Sequence, residues 1–339
     1  MFALRMSWNV LITARTMNET GVRALQSLRD AGCNVIIPPR QGPLTEAELL
    51  PHLPNVDAVL ASMDKFTDQV LSSPEAKSLK LISRWGVGYD AIDIPSATRH
   101  GIAVAYCPGM LNEAVADYAF SLLCALARRV HEGHVIMRGG EWKLAWGHNI
   151  HGKTLGILGC GRIGLAMARR AAGFGMKLLG YDICANEEAK KLGIQFVSLD
   201  ELLAQSDFLT LHSALTPENR NMIGEAQLRR MKPSSYLINT ARGALIDENA
   251  LVKAVTGKWI AGAALDAYVV EPLPKDHPLR SAPNLLITPH QASCSYETGE
   301  QVSDAAAAAI VELMNGRKPC WVVDEKVYAA ANLRAKIKS

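Results

Sequence analysis

Thr154-Leu-Gly-Ile-Leu-Gly159-Cys160-Gly161-Arg162-Ile163-Gly164 is the stretch that decides the fold. A Leu- and Ile-rich strand pattern runs into Gly-x-Gly-x-x-Gly, and a helical pattern from Leu165 to Gly173 follows. The next strand pattern, Lys177 to Tyr181, ends at Asp182, which stands 18 residues past Gly164. That is close to the spacing of about 20 at which a carboxylate meets the adenosine ribose of a dinucleotide. Gly159 permits a tight turn, Gly161 lets the backbone approach a pyrophosphate, and Gly164 lets helix pack on strand. The helix N-terminus offers unpaired N–H groups and partial positive charge to the phosphates. Asp182 would accept hydrogen bonds from both ribose hydroxyls and repel a 2′-phosphate, so NAD is expected rather than NADP.

Downstream, strand patterns recur near Phe208–Leu211, Tyr236–Asn239, Gly262–Leu265 and Leu285–Thr288, with helical stretches between them. Upstream, Trp8–Thr13, Cys33–Ile37, Ala58–Ala61, Leu79–Ser83 and Ile102–Tyr106 read as strands, and Glu19–Ala31 as an amphipathic helix ended by Gly32. Both halves are βαβ series and predict parallel sheets covered by helices. Asn112 to Arg129 reads as one long, mostly apolar helix. Glu132 to Gly152 reads as a loop rich in Gly, Trp and His. A last helix is predicted from Asp304 to Met314, ended at Asn315-Gly316, and it suggests that the chain returns to its first domain. A second glycine turn, Gly86-Val87-Gly88-Tyr89-Asp90, lacks the third glycine and reads as a substrate-facing turn.

A chain of 339 residues, 49% apolar and 20% charged, suits two globular domains and excludes a disordered protein. Its 36 basic and 33 acidic side chains form no concentrated positive face, so no nucleic-acid partner is expected. No apolar run reaches the roughly 18 residues of a membrane helix. Met1 to Ser7 does not read as a secretory signal, so a cytoplasmic location is expected. Seven cysteines with no Cys-x-x-Cys pair read as buried thiols in a reducing compartment. Cys160 and Cys294 are the two positions at which reactivity is conceivable. No metal site is expected.

Hydride transfer to a 2-oxo acid needs a cation to hold the carboxylate and polarise the carbonyl, an acid to deliver a proton, and a group to orient that acid. Open α/β sheets gather ligands at the carboxyl ends of their strands. Three candidates follow three successive strands there: Arg242, Glu271 and His290. Arg pairs bidentately with carboxylates, and a His beside a carboxylate can deliver and take a proton near neutral pH.

With these residues in place, the sequence resembles the D-isomer-specific 2-hydroxyacid dehydrogenases over nearly its whole length. The resemblance rests on Gly159–Gly164 with Asp182, Leu211-His-Ser-Ala-Leu-Thr216, Ile238-Asn-Thr-Ala-Arg-Gly243, Leu265-Asp-Ala-Tyr-Val-Val-Glu-Pro272 and Thr288-Pro-His290. It implies a Rossmann doubly wound sheet over 108–293, inserted into a discontinuous flavodoxin-like α/β substrate domain over 1–107 and 294–339. It implies Arg242 as substrate anchor, His290 as proton donor and acceptor, and Glu271 as the orienting carboxylate. Gly159, Gly161, Arg162, Ile163, Gly164, Asp182, His212, Ser213, Thr240, Ala241 and Asp266 would bind NAD, the last few at its nicotinamide end. Main-chain N–H groups of Val87 and Gly88 would hold the substrate carboxylate. A homodimer is implied, formed through the nucleotide domain and the arm bearing Trp142 and Trp146.

Ala214 stands where many relatives carry Pro, and Glu271 where formate dehydrogenases carry Gln. Formate oxidation needs no proton shuttle, so Glu271 argues for a hydroxy acid. Glyoxylate, hydroxypyruvate and phosphoglycerate are the acids considered. Lys65 could reach a substrate phosphate, and the loops near Ser62–Phe66 and Trp85 are expected to shape the side-chain pocket. No regulatory segment is expected after Ser339. The alternatives are a same-fold oxidoreductase on an unusual donor such as phosphite, and a non-enzymatic NAD-sensing protein like the family's corepressors.

Overall fold

The computed structural model describes residues 7–184 and 186–338. The expectations placed on Met1 to Met6 and on Ser339 lie outside the described residues. The chain divides into two compact units, Met1–Leu111 with Cys294–Ser339, and Asn112–Ser293.

The unit Asn112–Ser293 holds seven parallel strands: β6 (Thr154–Leu158), β7 (Lys177–Tyr181), β8 (Gln195–Phe196), β9 (Phe208–Leu211), β10 (Tyr236–Asn239), β11 (Gly262–Leu265) and β12 (Leu285–Ile287). They lie in the order β12-β11-β10-β9-β6-β7-β8, so the order reverses between β6 and β9. The strands are almost continuous apolar runs because both sheet faces are covered. Alternate residues feed opposite cores. On β10, Tyr236 and Ile238 join Leu155, Ile157, Phe208 and Met167 on one face. Leu237 joins Leu202, Leu209, Leu251 and Leu265 on the other.

The other unit holds β1 (Asn9–Ile12), β2 (Asn34–Ile36), β3 (Ala58–Ala61), β4 (Leu81–Arg84) and β5 (Ala103–Ala105), all parallel, in the order β2-β1-β3-β4-β5. This is the flavodoxin-like doubly wound order. Leu11, Val59, Ile82, Val104 and Phe66 share its core. The last long helix lies against β4, where Ser83 Oγ donates to Ala306 O at 2.8 Å. The alanine run allows that close approach.

Several element boundaries differ from expectation. The helix expected over Glu19–Ala31 is two, Met17–Thr20 and Val22–Asp30, broken at Gly21. The last helix begins at Tyr296, eight residues early, capped by Ser295 Oγ accepting from Thr298 N. The segment read as a loop from Glu132 opens with a helix, Val130–Arg138, none of whose residues is buried. The short strand β8 was not foreseen. The cysteines are not uniformly buried either. Cys33, Cys107 and Cys160 are buried, whereas Cys184, Cys294 and Cys320, outside the strands and helices, are exposed. Among the described residues, no helix is long and apolar enough to cross a membrane.

Candidate active site

The reversal of strand order between β6 and β9 opens the sheet at its carboxyl edge, and the glycine loop leaves from there. Gly159 has φ +94, and a Cβ on it would lie 2.5 Å from Ser213 N. Only glycine lets the loops after β6 and β9 come this close. A Cβ on Gly164 would lie 2.1 Å from Gly159 O, so helix and turn pack backbone to backbone. Gly161 differs. Its φ is an ordinary −75, and an added Cβ would meet nothing within 4 Å. The protein itself does not require glycine there, so the open space beside it is room for a ligand. The helix Arg162–Gly173 begins beside that space with no side-chain cap, and Gly161 and Arg162 are exposed and Ile163 half-exposed.

Asp182 lies over the loop. Its Oδ2 accepts from Cys160 N at 2.7 Å and its Oδ1 from Cys184 N at 3.2 Å. Both oxygens keep lone pairs for further donors. Cys160 points the other way, into the core, and burial with the nearby Asp182 charge pushes its thiol up to about 12. It is inert rather than reactive.

Opposite the glycine loop, three buried polar atoms have no hydrogen-bond partner: His212 Nδ1, Ser213 Oγ and Thr240 Oγ1. Such atoms are uncommon in native interiors. Clustered at the carboxyl ends of β9 and β10, they are what a polar cofactor would satisfy. The open cradle at Gly161 and the carboxylate of Asp182 fit the phosphates and ribose of NAD. Burial pushes the His212 imidazole down to about 4, and its Nε2 meets Thr210 Oγ1 at 2.9 Å.

Arg242 follows β10. Asn239, fully buried, folds the loop by accepting from Ala241 N at 3.0 Å and donating to Arg242 O at 2.8 Å. A Cβ on Gly243 would lie 2.0 Å from Tyr268 C, so the loops after β10 and β11 also meet through backbone. The pairing Arg242-Gly243 therefore has a reason: the glycine brings the arginine beside Glu271. The catalytic candidates assemble there. His290 Nδ1 lies 2.8 and 2.7 Å from the two carboxylate oxygens of Glu271. Tyr268 N donates to Glu271 Oε1 at 2.9 Å. Burial pushes the Glu271 carboxyl up, but the His290 hydrogen bond and charge, the Tyr268 N–H and the Arg242 charge together outweigh it. The carboxyl is held below its usual range, hence ionised.

His290 is held in a left-handed conformation, φ +53, with its N–H donating to Thr288 O at 3.0 Å. Such a backbone costs on the order of 1 kcal/mol or more and persists only where its surroundings enforce it. Asp266, 1% exposed, supplies much of that enforcement. It accepts from Thr288 Oγ1 at 2.6 Å, Gln291 N at 2.9 Å and Ala292 N at 2.7 Å. Asn239 and the Tyr268 hydroxyl, which donates toward Thr288 O at 2.8 Å, were not singled out from sequence. Their place inside the quoted motifs was the only signal.

In the other unit, Val87 and Gly88 lie half-exposed on the turn after β4. Lys65 is exposed, whereas Asp64, Phe66 and Trp85 are buried, and the Trp85 indole N–H donates to Ser303 Oγ at 2.9 Å.

The model of the D-isomer-specific 2-hydroxyacid dehydrogenase NAD-binding domain matches residues 120–292. A glyoxylate reductase of Korarchaeum cryptofilum is 42% identical over 295 residues, 85% of this chain and 88% of that protein. One of Thermofilum pendens is 39% identical over 323 residues, 92% of this chain and 94% of that protein. The crystal structure of the TT0316 protein from Thermus thermophilus superposes with a TM-score of 0.84 at 38% identity, over 93% of this chain and 100% of that one.

Proposed function

The chain belongs to the D-isomer-specific 2-hydroxyacid dehydrogenase family and is an NAD-dependent oxidoreductase acting on CH–OH groups; from that premise, we propose that it reduces a small 2-oxo acid, glyoxylate first, through a His290–Glu271 proton relay with Arg242 as anchor. The observation that carries this reading is the contact of His290 Nδ1 with both Glu271 oxygens at 2.7 and 2.8 Å. It leaves the other ring nitrogen, Nε2, to serve the substrate. The glyoxylate reductase relatives support the choice of acid.

NADH, when bound, would supply the hydride for C2 of the acid. Arg242 pairs with the carboxylate and polarises the C2 carbonyl, where negative charge develops. His290 Nε2 donates a proton to the carbonyl oxygen, and the ionised Glu271 stabilises the imidazolium beforehand. In the oxidative direction neutral His290 takes the hydroxyl proton back. Gly159, Gly161, Gly164 and the N–H groups of Arg162 and Ile163 would hold the pyrophosphate, Asp182 would accept from the ribose, and His212, Ser213, Thr240 and Ala241 would serve the remainder. Asp266 acts through the 288–292 loop. Val87 and Gly88 N–H groups hold the carboxylate of the acid.

A homodimer in the cytoplasm completes the proposal. Trp142 is 88% and Trp146 84% exposed, with Val130, Val135, Met137 and Leu144 also bare. Apolar side chains gathered so densely along one segment are covered in a functional protein, and a second copy is the proposed cover.

The test is a panel of glyoxylate, hydroxypyruvate, pyruvate, phosphohydroxypyruvate and phosphite, assayed with both cofactors. Glyoxylate turnover with NADH far above NADPH is expected, and Asp182→Ala should narrow that gap by weakening NADH. Tight NADH binding without turnover of any compound would instead identify a nucleotide-sensing protein, and turnover of phosphite alone an unusual donor.

A further inference from the structure

At the carboxyl edge of the flavodoxin-like sheet lies a charged side chain that the reaction above does not use. Arg84 closes β4, and its Nε donates to Gly88 O at 2.9 Å. The guanidinium lies along the same turn, because a Cβ on Gly86 would come within 3.1 Å of it. Gly86 has φ +128, so the turn is shaped as only glycine readily allows. Its start is fixed too, since Gly86 O accepts from Cys107 N at 2.9 Å.

These two carbonyl anchors determine where the N–H groups go. A trans peptide points its C=O and N–H in opposite directions. Holding Gly86 O on Cys107 turns the Val87 N–H away from Cys107. Holding Gly88 O on Arg84 fixes the far end of the turn, since the same peptide carries the Tyr89 N–H. The turn is thus pinned on both sides of Val87 and Gly88, with the Val87 N–H turned away from its anchor, which suits it to an anion.

Behind Arg84 is Asp64, buried and fully enclosed. Its oxygens accept from Thr13 Oγ1, from Leu44 N at 2.8 Å and from Ser62 N at 3.0 Å. Burial holds this carboxyl above its usual range, and those donors and the nearby Arg84 charge oppose the push only in part. A Cβ on Gly42 would lie 2.0 Å from Asp64 Oδ1, so the 41–44 loop closes tightly over it. Asp64 thus ties together the ends of β1 and β3 and a loop, and makes a rigid frame near Arg84.

We propose that Arg84, backed by Asp64, is a positioning residue that sets the Gly86–Gly88 turn for the substrate carboxylate, without touching substrate itself. This rests on the reading that the protein reduces 2-oxo acids, with Val87 and Gly88 holding their carboxylate. Because the device orders a turn that meets only the part common to all 2-oxo acids, its loss should weaken every such acid by the same factor.

The test measures KM and kcat of Arg84→Gln on glyoxylate, hydroxypyruvate and phosphohydroxypyruvate, with NADH affinity measured by fluorescence titration. KM should rise about tenfold for each acid, as expected when a charge-assisted hydrogen bond is lost. Saturated turnover should change much less, and NADH affinity should stay put. Arg84→Lys keeps the charge beside Asp64 without the planar donor fork, and should show the same pattern in smaller measure. It also serves if the Gln variant does not fold, which thermal unfolding reports. A KM that stays at the wild-type value in both variants overturns the proposal. So does a rise confined to the phosphorylated acid, which would mean direct contact with a second anion. Failure of the underlying reading looks different: the unaltered protein would then turn over none of the three acids.

Discussion

His212 and His290 follow parallel strands of the same sheet, yet their surroundings give them opposite chemistry. At His212 the ring meets a hydroxyl, Thr210 Oγ1, and burial pushes the imidazole down to about 4. The residue as a whole is half-buried, but its Nδ1 is sealed from water. At neutral pH this ring is uncharged and has no proton to deliver. His290 instead sits against both oxygens of Glu271, a carboxylate held in its ionised form. The Glu271 shift is downward, so its charge is present at neutral pH and is lost only as pH falls through that depressed value. In the proposed relay the partner, more than the residue type, decides which histidine handles protons.

The largest effect should come from removing the ring proposed to handle the proton. His290→Ala is expected to lower kcat by about 10²–10⁴-fold, with NADH affinity nearly unchanged in a fluorescence titration. A variant that kept most of its turnover would erase the contrast between the two histidines. Arg242→Ala should come next. Loss of an electrostatic anchor costs on the order of 10²–10³-fold, and here it should appear in both KM and kcat of steady-state assays because Arg242 serves ground and transition states alike. A change in KM alone would reduce Arg242 to a binding group.

Both regions of this comparison were legible in the sequence to different depths. The glycine loop is local: spacing, strand before and helix after lie within about 30 residues, as a single βαβ unit does, so Gly159 and Asp182 stood out at once. Arg242, Glu271 and His290 were found because each closes a strand of one parallel series. What holds them was hidden, because it depends on pairing between strands distant in sequence. Asp266 reads as a residue of the nicotinamide end, and what its motif does not show is that its oxygens also accept from Thr288, Gln291 and Ala292. The helix Val130–Arg138 was missed because its apolar side chains meet no core within the chain and so show no buried stripe. The early start of the last helix was masked by Gly299, which resembles a helix breaker. Its Cβ would lie 2.6 Å from the Thr20 side chain, so this glycine serves packing.

Glu271→Gln sharpens the comparison by giving His290 a neutral partner of the same size. Hydrogen bonding is partly kept and the negative charge is lost, so the protonated ring is less favoured. In the proposed relay reduction draws on the protonated ring, and the alkaline limb of its pH profile should therefore move toward acid. Oxidation needs the neutral ring, and its acid limb should move the same way. Limbs that stay in place would show that Glu271 does not govern this proton.

The smallest effect, and the one that tests the other half of the contrast, belongs to His212. Its Nδ1 is buried without a partner, beside the equally unpartnered Ser213 Oγ and Thr240 Oγ1. If the cofactor supplies the missing partner, His212→Ala removes one hydrogen bond, worth about 0.5–1.5 kcal/mol net. NADH affinity should then weaken by about two- to tenfold in a direct titration. The pH limbs should not move at all, because a ring already neutral across the working range contributes no proton to either direction. Deleting it removes a contact and no titration. A moved limb would mean that His212 shares the proton with His290, and the contrast between a sealed ring and a paired one would fail. Unchanged NADH affinity with unmoved limbs would instead mean that the orphaned nitrogen faces something other than the cofactor. The cradle would then rest on Asp182, Ser213 and Thr240 without it.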